Sequence, residues 1–149
     1  MGARVKYTSS DVDLLARLMR GEAQAEGEKG MLTVGAVVIN RAVVRCSDFK
    51  NVNNINDVIY HYMNGDAMFD AIVEPDFYLK SRERERRLAE QTIKGWREWP
   101  SKYSLWYFNP WGPTSQACPE VWYGQPLAGT WKNHCFYQPT STECAEIYR

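Results

Sequence analysis

Apolar residues recur at helical spacing in one long stretch, Asp11 to Arg41 (DVDLLARLMRGEAQAEGEKGMLTVGAVVINR). Leu14, Leu15, Leu18 and Met19 make the buried stripe of an amphipathic helix running from about Asp11 to Ala25, with Asp11 as its expected cap. Gly27 and Gly30 then punctuate the chain as a tight turn between two helices. The second helix is expected from about Gly30 to Val44. Val34, Ala36, Val37, Val38 and Ile39 leave little of it polar, so it reads as the buried central helix. Asn40 and Arg41 close it, and polar groups beside a core helix are expected to satisfy backbone carbonyls or fix a neighbouring loop.

The pattern weakens after that. Residues 45–57 are rich in Asn and Asp and read as loop, with Asp57 placed to cap a short helix carrying Val58, Ile59 and Tyr62. Asn64-Gly65 marks a turn, and Pro75 breaks what precedes it. Between them Met68 and Phe69 look exposed beside Asp66, Asp70, Glu74 and Asp76. This segment reads as a cleft-lining loop, or as a loop pinned to the core by Phe69. Helical spacing returns over residues 81–94, with Ser81 as cap, Glu83 and Arg87 as an i,i+4 pair, and Gly95 as stop. Leu88, Thr92 and Ile93 give it a narrow buried face, and its Arg/Glu run reads as a solvated face. Ser104 to Asn109 and Asn133 to Gln138 read as short aromatic strands able to pair antiparallel. Pro110 to Lys132 is a long connection, and one of that length is usually functional or ordered by its own side chains.

Two groups of residues carry candidate chemistry. Glu22 ends the apolar stripe of the first helix, so desolvation should raise its pKa. Glu26 lies four residues on, where like charge should push at least one of the pair higher. That suits a general acid near neutral pH, although two solvated helix acids would read the same way. The second group is aromatic. All 6 Trp residues follow Gly95. By alternation Leu105, Tyr107 and Asn109 share one strand face, and His134, Phe136 and Gln138 share another. Tyr107, Asn109 and His134 can thus line one groove with Trp along its rim. Flat rings beside amides and hydroxyls suit sugars, though any single Trp is as readily explained by packing.

Composition then narrows the field. The 149 residues make one domain, with residues 1–10 as a lead-in and 11–149 as the body. A formal net charge of zero points away from nucleic acid or anionic membrane as a main partner. No apolar run reaches membrane-spanning length. The opening residues show no secretory signal, so the chain is expected to act where it is made or to be delivered without one; a chain lacking its leader would look the same. The four cysteines, Cys46, Cys118, Cys135 and Cys144, allow three pairings, with reduced thiols the default in the absence of a signal. Neither their spacing nor the histidines, His61 and His134, fit a metal site. Cys135 beside His134 raises the class of cysteine peptidase, but adjacent strand residues face opposite ways. A non-catalytic glycan-binding module is the other rival to a glycan-cleaving enzyme.

The ordered set DVDLLARLMRGEAQAEGEKGM, VVINR, Asp48-Phe49, SLWYFNP, Cys118-Pro119, Trp122-Tyr123 and KNHCFYQPT resembles the spore cortex-lytic cell wall hydrolases of the SleB/CwlJ type, most of all the CwlJ branch. The likeness runs from about Asp11 to the C-terminus. It implies an α+β, mainly helical, lysozyme-like or lytic-transglycosylase-like domain with a small antiparallel sheet. It implies cleavage of cortex peptidoglycan, rich in muramic-δ-lactam, during germination. Glu22 matches the family's catalytic acid and Glu26 its second acid, while Phe69, Tyr107, Asn109 and His134 fall at groove positions. The four cysteines also match positions typical of the branch. The resemblance implies no metal or cofactor for the chemistry, with calcium dipicolinate as an activator. It implies a location in the spore coat, reached from the mother cell, with a coat protein as partner. The expected outcome is lytic transglycosylation, with hydrolysis through a second carboxylate as the alternative.

Overall fold

The computed structural model describes residues 2–110 and 117–149. Three helices build the core. α1 spans Ser9–Ala23, α2 spans Gly27–Val43 and α4 spans Glu83–Ile93, with a short α3, Ile55–Ile59, packed beside α2. α2 is the central element: every residue from Gly30 to Ala42 is buried. α1 presents Leu14, Leu15, Leu18 and Met19 to it, the stripe read from the spacing.

The caps differ from expectation. Thr8, not Asp11, caps α1, and Asp11 completes the capping box as its N3 partner. Asn54 caps α3 in place of Asp57 by accepting from the Asp57 amide at 2.8 Å. Ser81 does not cap α4. Its hydroxyl and amide both donate to Asp13 on α1, and Arg82 holds the cap position. The Arg/Glu run of α4 is not a purely solvated face either. Glu85 is 0% exposed. Its carboxylate accepts from the Arg82 amide and guanidinium, with Arg20 of α1 at 3.4 Å. A buried carboxylate needs such partners, and a surface pattern cannot reveal them. The Glu83–Arg87 pair is absent from the ion pairs of the described residues; Lys94 and Glu90 pair instead at 3.5 Å.

Asn40 and Arg41 do what was expected of them. Asn40 Nδ2 donates to the carbonyls of Ser101 and Ser104, and Arg41 Nε donates to that of Leu105 at 2.7 Å. α2 thereby anchors the strand that follows. The first residues are tied down as well, Arg4 donating from its amide to Ile93 and from Nη1 to Asn40.

Asn64-Gly65 turns a two-residue hairpin, β1 (Tyr62–Met63) with β2 (Asp66–Ala67), both turn residues having positive φ. The two aromatic strands are β3, Trp106–Phe108, and β6, His134–Tyr137, and they pair antiparallel with Tyr107 opposite Phe136. The connection between them is more ordered than expected. It supplies β4 (Val121–Trp122) and β5 (Gln125–Trp131), and the four-stranded sheet runs β3-β6-β5-β4. Apolar alternation is poor in QPLAGTW, which hid β5 from the sequence. Trp111, one of the tryptophans expected on the rim, lies outside the described residues.

Cysteines expected as thiols are paired. Cys46–Cys144 ties the C-terminus to the segment after α2, and Cys118–Cys135 clips the approach to β4 onto β6. Their Cα separations, 5.6 and 5.7 Å, are those of bridged cysteines. Among the described residues no helix is long and apolar enough to cross a membrane.

Candidate active site

Glu22 sits in the last turn of α1, half-buried, facing the sheet. Tyr107 of β3 donates its hydroxyl to Oε1 at 2.6 Å, and the amide of Ala71 donates to Oε2 at 3.2 Å. Gly21 permits the second contact: a Cβ there would lie 2.9 Å from that of Ala71, so any other residue would push the loop off the helix. Burial raises the pKa of Glu22. Its two hydrogen bonds and His134 oppose that rise without cancelling it, while the charge of Asp70 adds to it. The raised value agrees with expectation, but Asp70 supplies the like charge, not Glu26.

Glu26 is a different case. The helix breaks at Ala23, and Glu26 falls in a 3₁₀ turn, Gln24–Glu26, only 7% exposed. One oxygen lies 2.5 Å from Nδ1 of His134 and the other accepts from the Asn133 amide at 3.0 Å. Both oxygens are thus occupied by the turn that opens β6. His134, 8% exposed, sets its ring edge-on to Tyr107 with centroids 5.2 Å apart. A chain of contacts runs Glu26, His134, Tyr107, Glu22.

Arg41 stands behind this chain, and the sequence offered only its structural role. Its guanidinium lies between the rings of Phe49 (4.7 Å) and Phe69 (4.8 Å). Burial lowers its pKa to about 10, and the nearby Tyr107, Glu22 and Asp48 favour its charge, so it stays a cation at neutral pH. Burial, and then Glu22, raise the pKa of Tyr107 well above the usual phenol value, so its hydroxyl remains a donor. Phe69 is 1% exposed, contrary to its exposed look in the sequence. It pins its loop to the core and lines the groove wall at once, 6.2 Å from Tyr107.

The groove has two lobes. One, about 490 Å³, is lined by Arg41, Phe69, Asp70, Tyr107, Phe108 and Trp122. The other, about 670 Å³, runs past Gln24, Glu26 and Asn133. Gly21, Glu22, Asn109 and His134 line both, so Glu22 lies at the junction of an open, extended cleft. Phe69, Tyr107, Asn109, His134 and Glu26 all reach this cleft, as the sequence reading grouped them. Of the tryptophans, Trp122 lines the rim and Trp131 donates Nε1 to the Glu26 carbonyl; Trp106 is buried and donates to Asp48. Asn133 and the Ala71 amide went unrecognised, because a backbone donor leaves no mark in side-chain pattern. Cys135 is held in a disulfide, which removes it as a nucleophile. Among the described residues the one cluster with ligand-like spacing, Cys46, Cys144 and Glu146, has its two sulfurs bonded to each other.

A desolvated glutamate at a helix end, facing a small antiparallel sheet across an open cleft, defines a mainly helical α+β domain of the kind found in lytic transglycosylases. The comparisons agree. The catalytic domain of the germination-specific lytic transglycosylase SleB from Bacillus anthracis superposes with a TM-score of 0.66 at 26% identity, covering 89% of this chain and 97% of that one. The cell wall hydrolase CwlJ of Bacillus subtilis is 49% identical over 98% of this chain and 97% of its own length. The spore cortex-lytic enzyme of the same organism is 31% identical over 87% of this chain, which spans 38% of that protein. The Cell Wall Hydrolase family model matches residues 25–137. The chain belongs to that family and is an enzyme of the cell wall hydrolase type.

Proposed function

We propose that the protein cleaves spore cortex peptidoglycan during germination, by lytic transglycosylation with Glu22 as acid and then base. The observation that carries this reading is the environment of Glu22. It is the one carboxyl group lining the cleft, among the described residues, whose pKa is raised by burial. A carboxyl group whose charged form is disfavoured is the kind a general acid near neutral pH requires. Glu22 gives its proton to the glycosidic oxygen, and the bond from that oxygen to C1 of the muramic residue breaks. The C6 hydroxyl of the same residue attacks C1 and closes a 1,6-anhydro ring, while its proton returns to Glu22. No water is consumed, and no second carboxylate is needed. Tyr107 and the Ala71 amide hold the carboxyl group in place through both half-steps. The names of the related spore enzymes support cortex as substrate; cleavage at muramic-δ-lactam strands and action in the outer layers of the spore belong to this proposal through the sequence resemblance.

One observation favours hydrolysis as a second reading: Asp70 is an exposed carboxylate lining the same lobe as Glu22. Hydrolysis needs such a partner. Glu26 does not supply it, since its carboxylate is buried and held against the turn that opens β6 by His134 and the Asn133 amide. Digestion of cortex in ¹⁸O-labelled water separates the two. Transglycosylation yields unlabelled products lighter by one water. Labelled reducing ends as the main product, lost in Asp70→Asn, would replace this mechanism with hydrolysis.

A further inference from the structure

The sheet face that carries Tyr107 and His134 does not stop at the cleft. Directly opposed residues on antiparallel strands point to the same side. Tyr107 opposes Phe136, Phe136 opposes Gly129, and His134 opposes Trp131. Trp131 and Gly129 of β5 therefore continue the groove face. Trp131 is fixed to the cleft wall by its hydrogen bond to the Glu26 carbonyl at 3.3 Å. Trp99 lies over Gly129: a Cβ there would come within 2.7 Å of its indole atoms, so only glycine admits the ring. Trp99 is nevertheless 57% exposed. Lys29 Nζ sits 4.8 Å from the Trp131 ring and 5.7 Å from the Trp99 ring, and Lys132 lies 6.0 Å from Trp131.

A large apolar ring held in water on a rigid seat marks a contact surface more readily than a packing residue. We propose that Trp99, Trp131 and Lys29 form an outlying subsite for the glycan strand, continuing the cleft beyond Glu26 and gripping sugar units remote from the bond being cleaved. The occupant follows from chemistry and continuity. Flat indole faces match the C–H faces of pyranose rings. Ammonium groups match hydroxyls and the carboxylates of side peptides. The platform abuts the lobe in which the same strand must lie. The inference rests on the glycan-cleaving reading of the cleft, and it makes the enzyme selective for long strands over fragments.

The test is binding in the Glu22→Gln background, so that catalysis does not intervene. Co-sedimentation with purified cortex sacculi is compared with affinity for a tetrasaccharide too short to leave the cleft. Adding Trp99→Ala should weaken sacculus binding about two- to tenfold, the range of one aromatic contact, and move tetrasaccharide affinity by less than about twofold. Lys29→Gln, which leaves the ring in place, should give a smaller loss in the same direction; it decides the matter if circular dichroism shows Trp99→Ala to be misfolded. Unchanged sacculus binding, or equal loss on both ligands, overturns the subsite. So does a concentration-dependent dimer in sedimentation that Trp99→Ala abolishes while sacculus binding is kept. Near-wild-type cortex cleavage by Glu22→Gln alone would instead refute the role of Glu22 and leave the binding comparison standing.

Discussion

Two carboxylates four residues apart meet opposite fates. Around Glu22 the protein offers neutral donors, a phenol and an amide, where two lobes of the cleft meet. Around Glu26 it offers an imidazole and an amide that take up both oxygens. The first environment disfavours the charge of a carboxyl group that opens onto the cleft; the second turns a carboxylate into a strut between the helix break and β6. The difference teaches that adjacency in sequence says little about role. Side chains on one helix turn separate when the helix stops between them, and each then answers to whatever the sheet brings near.

Glu22→Gln tests the contrast most severely. It keeps shape and removes the acid. Cortex cleavage should fall at least ~100-fold, the low end for general acid catalysis, with sacculus binding retained. Near-wild-type lysis would abolish the distinction between the two carboxylates.

Glu26→Ala should act on stability first. It leaves His134 and the Asn133 amide without their shared partner, and an unsatisfied buried polar group costs about 1–3 kcal/mol. Urea unfolding measures this. A variant as stable as the parent but inactive would move Glu26 from strut to catalytic group.

Two conservative changes around Glu22 should shift the pH profile in opposite directions. The acid is competent only when protonated, so activity falls as pH rises through its pKa. Tyr107→Phe removes a hydrogen bond that favours the ionised form, so the pKa rises and the alkaline limb of kcat/KM moves to higher pH. Asp70→Asn removes a charge that disfavours ionisation, so the limb moves to lower pH. Limbs that move together would show that the profile reports another group.

The smallest effect expected is none. His134 is read as a hydrogen-bond partner of Glu26, not as a metal ligand. Cleavage should survive EDTA once calcium is restored to the level of a control. Specific rescue by zinc would contradict that reading.

What the sequence by itself determined is local. The stripe Leu14, Leu15, Leu18 and Met19, the apolar run of α2, the Asn64-Gly65 turn and the aromatic strands β3 and β6 all follow from spacing within a few residues. So does the position of Glu22 at the end of its stripe. The grouping of Tyr107, Asn109 and His134 was legible because alternation along a strand is itself local, and the family resemblance added the chemistry. The tertiary structure decided the rest. The hydrogen-bond partners of Glu22 lie 49 and 85 residues away, and that of Asn133 lies 107 away. It also decided that Glu85 is buried, that Ser81 serves α1 rather than α4, that the cysteines pair, and that β5 carries Trp131 to the cleft wall. Hydrophobic period and capping chemistry act over one or two turns. Desolvation and hydrogen-bond partnership depend on which distant segments are packed together, and no window along the chain contains them.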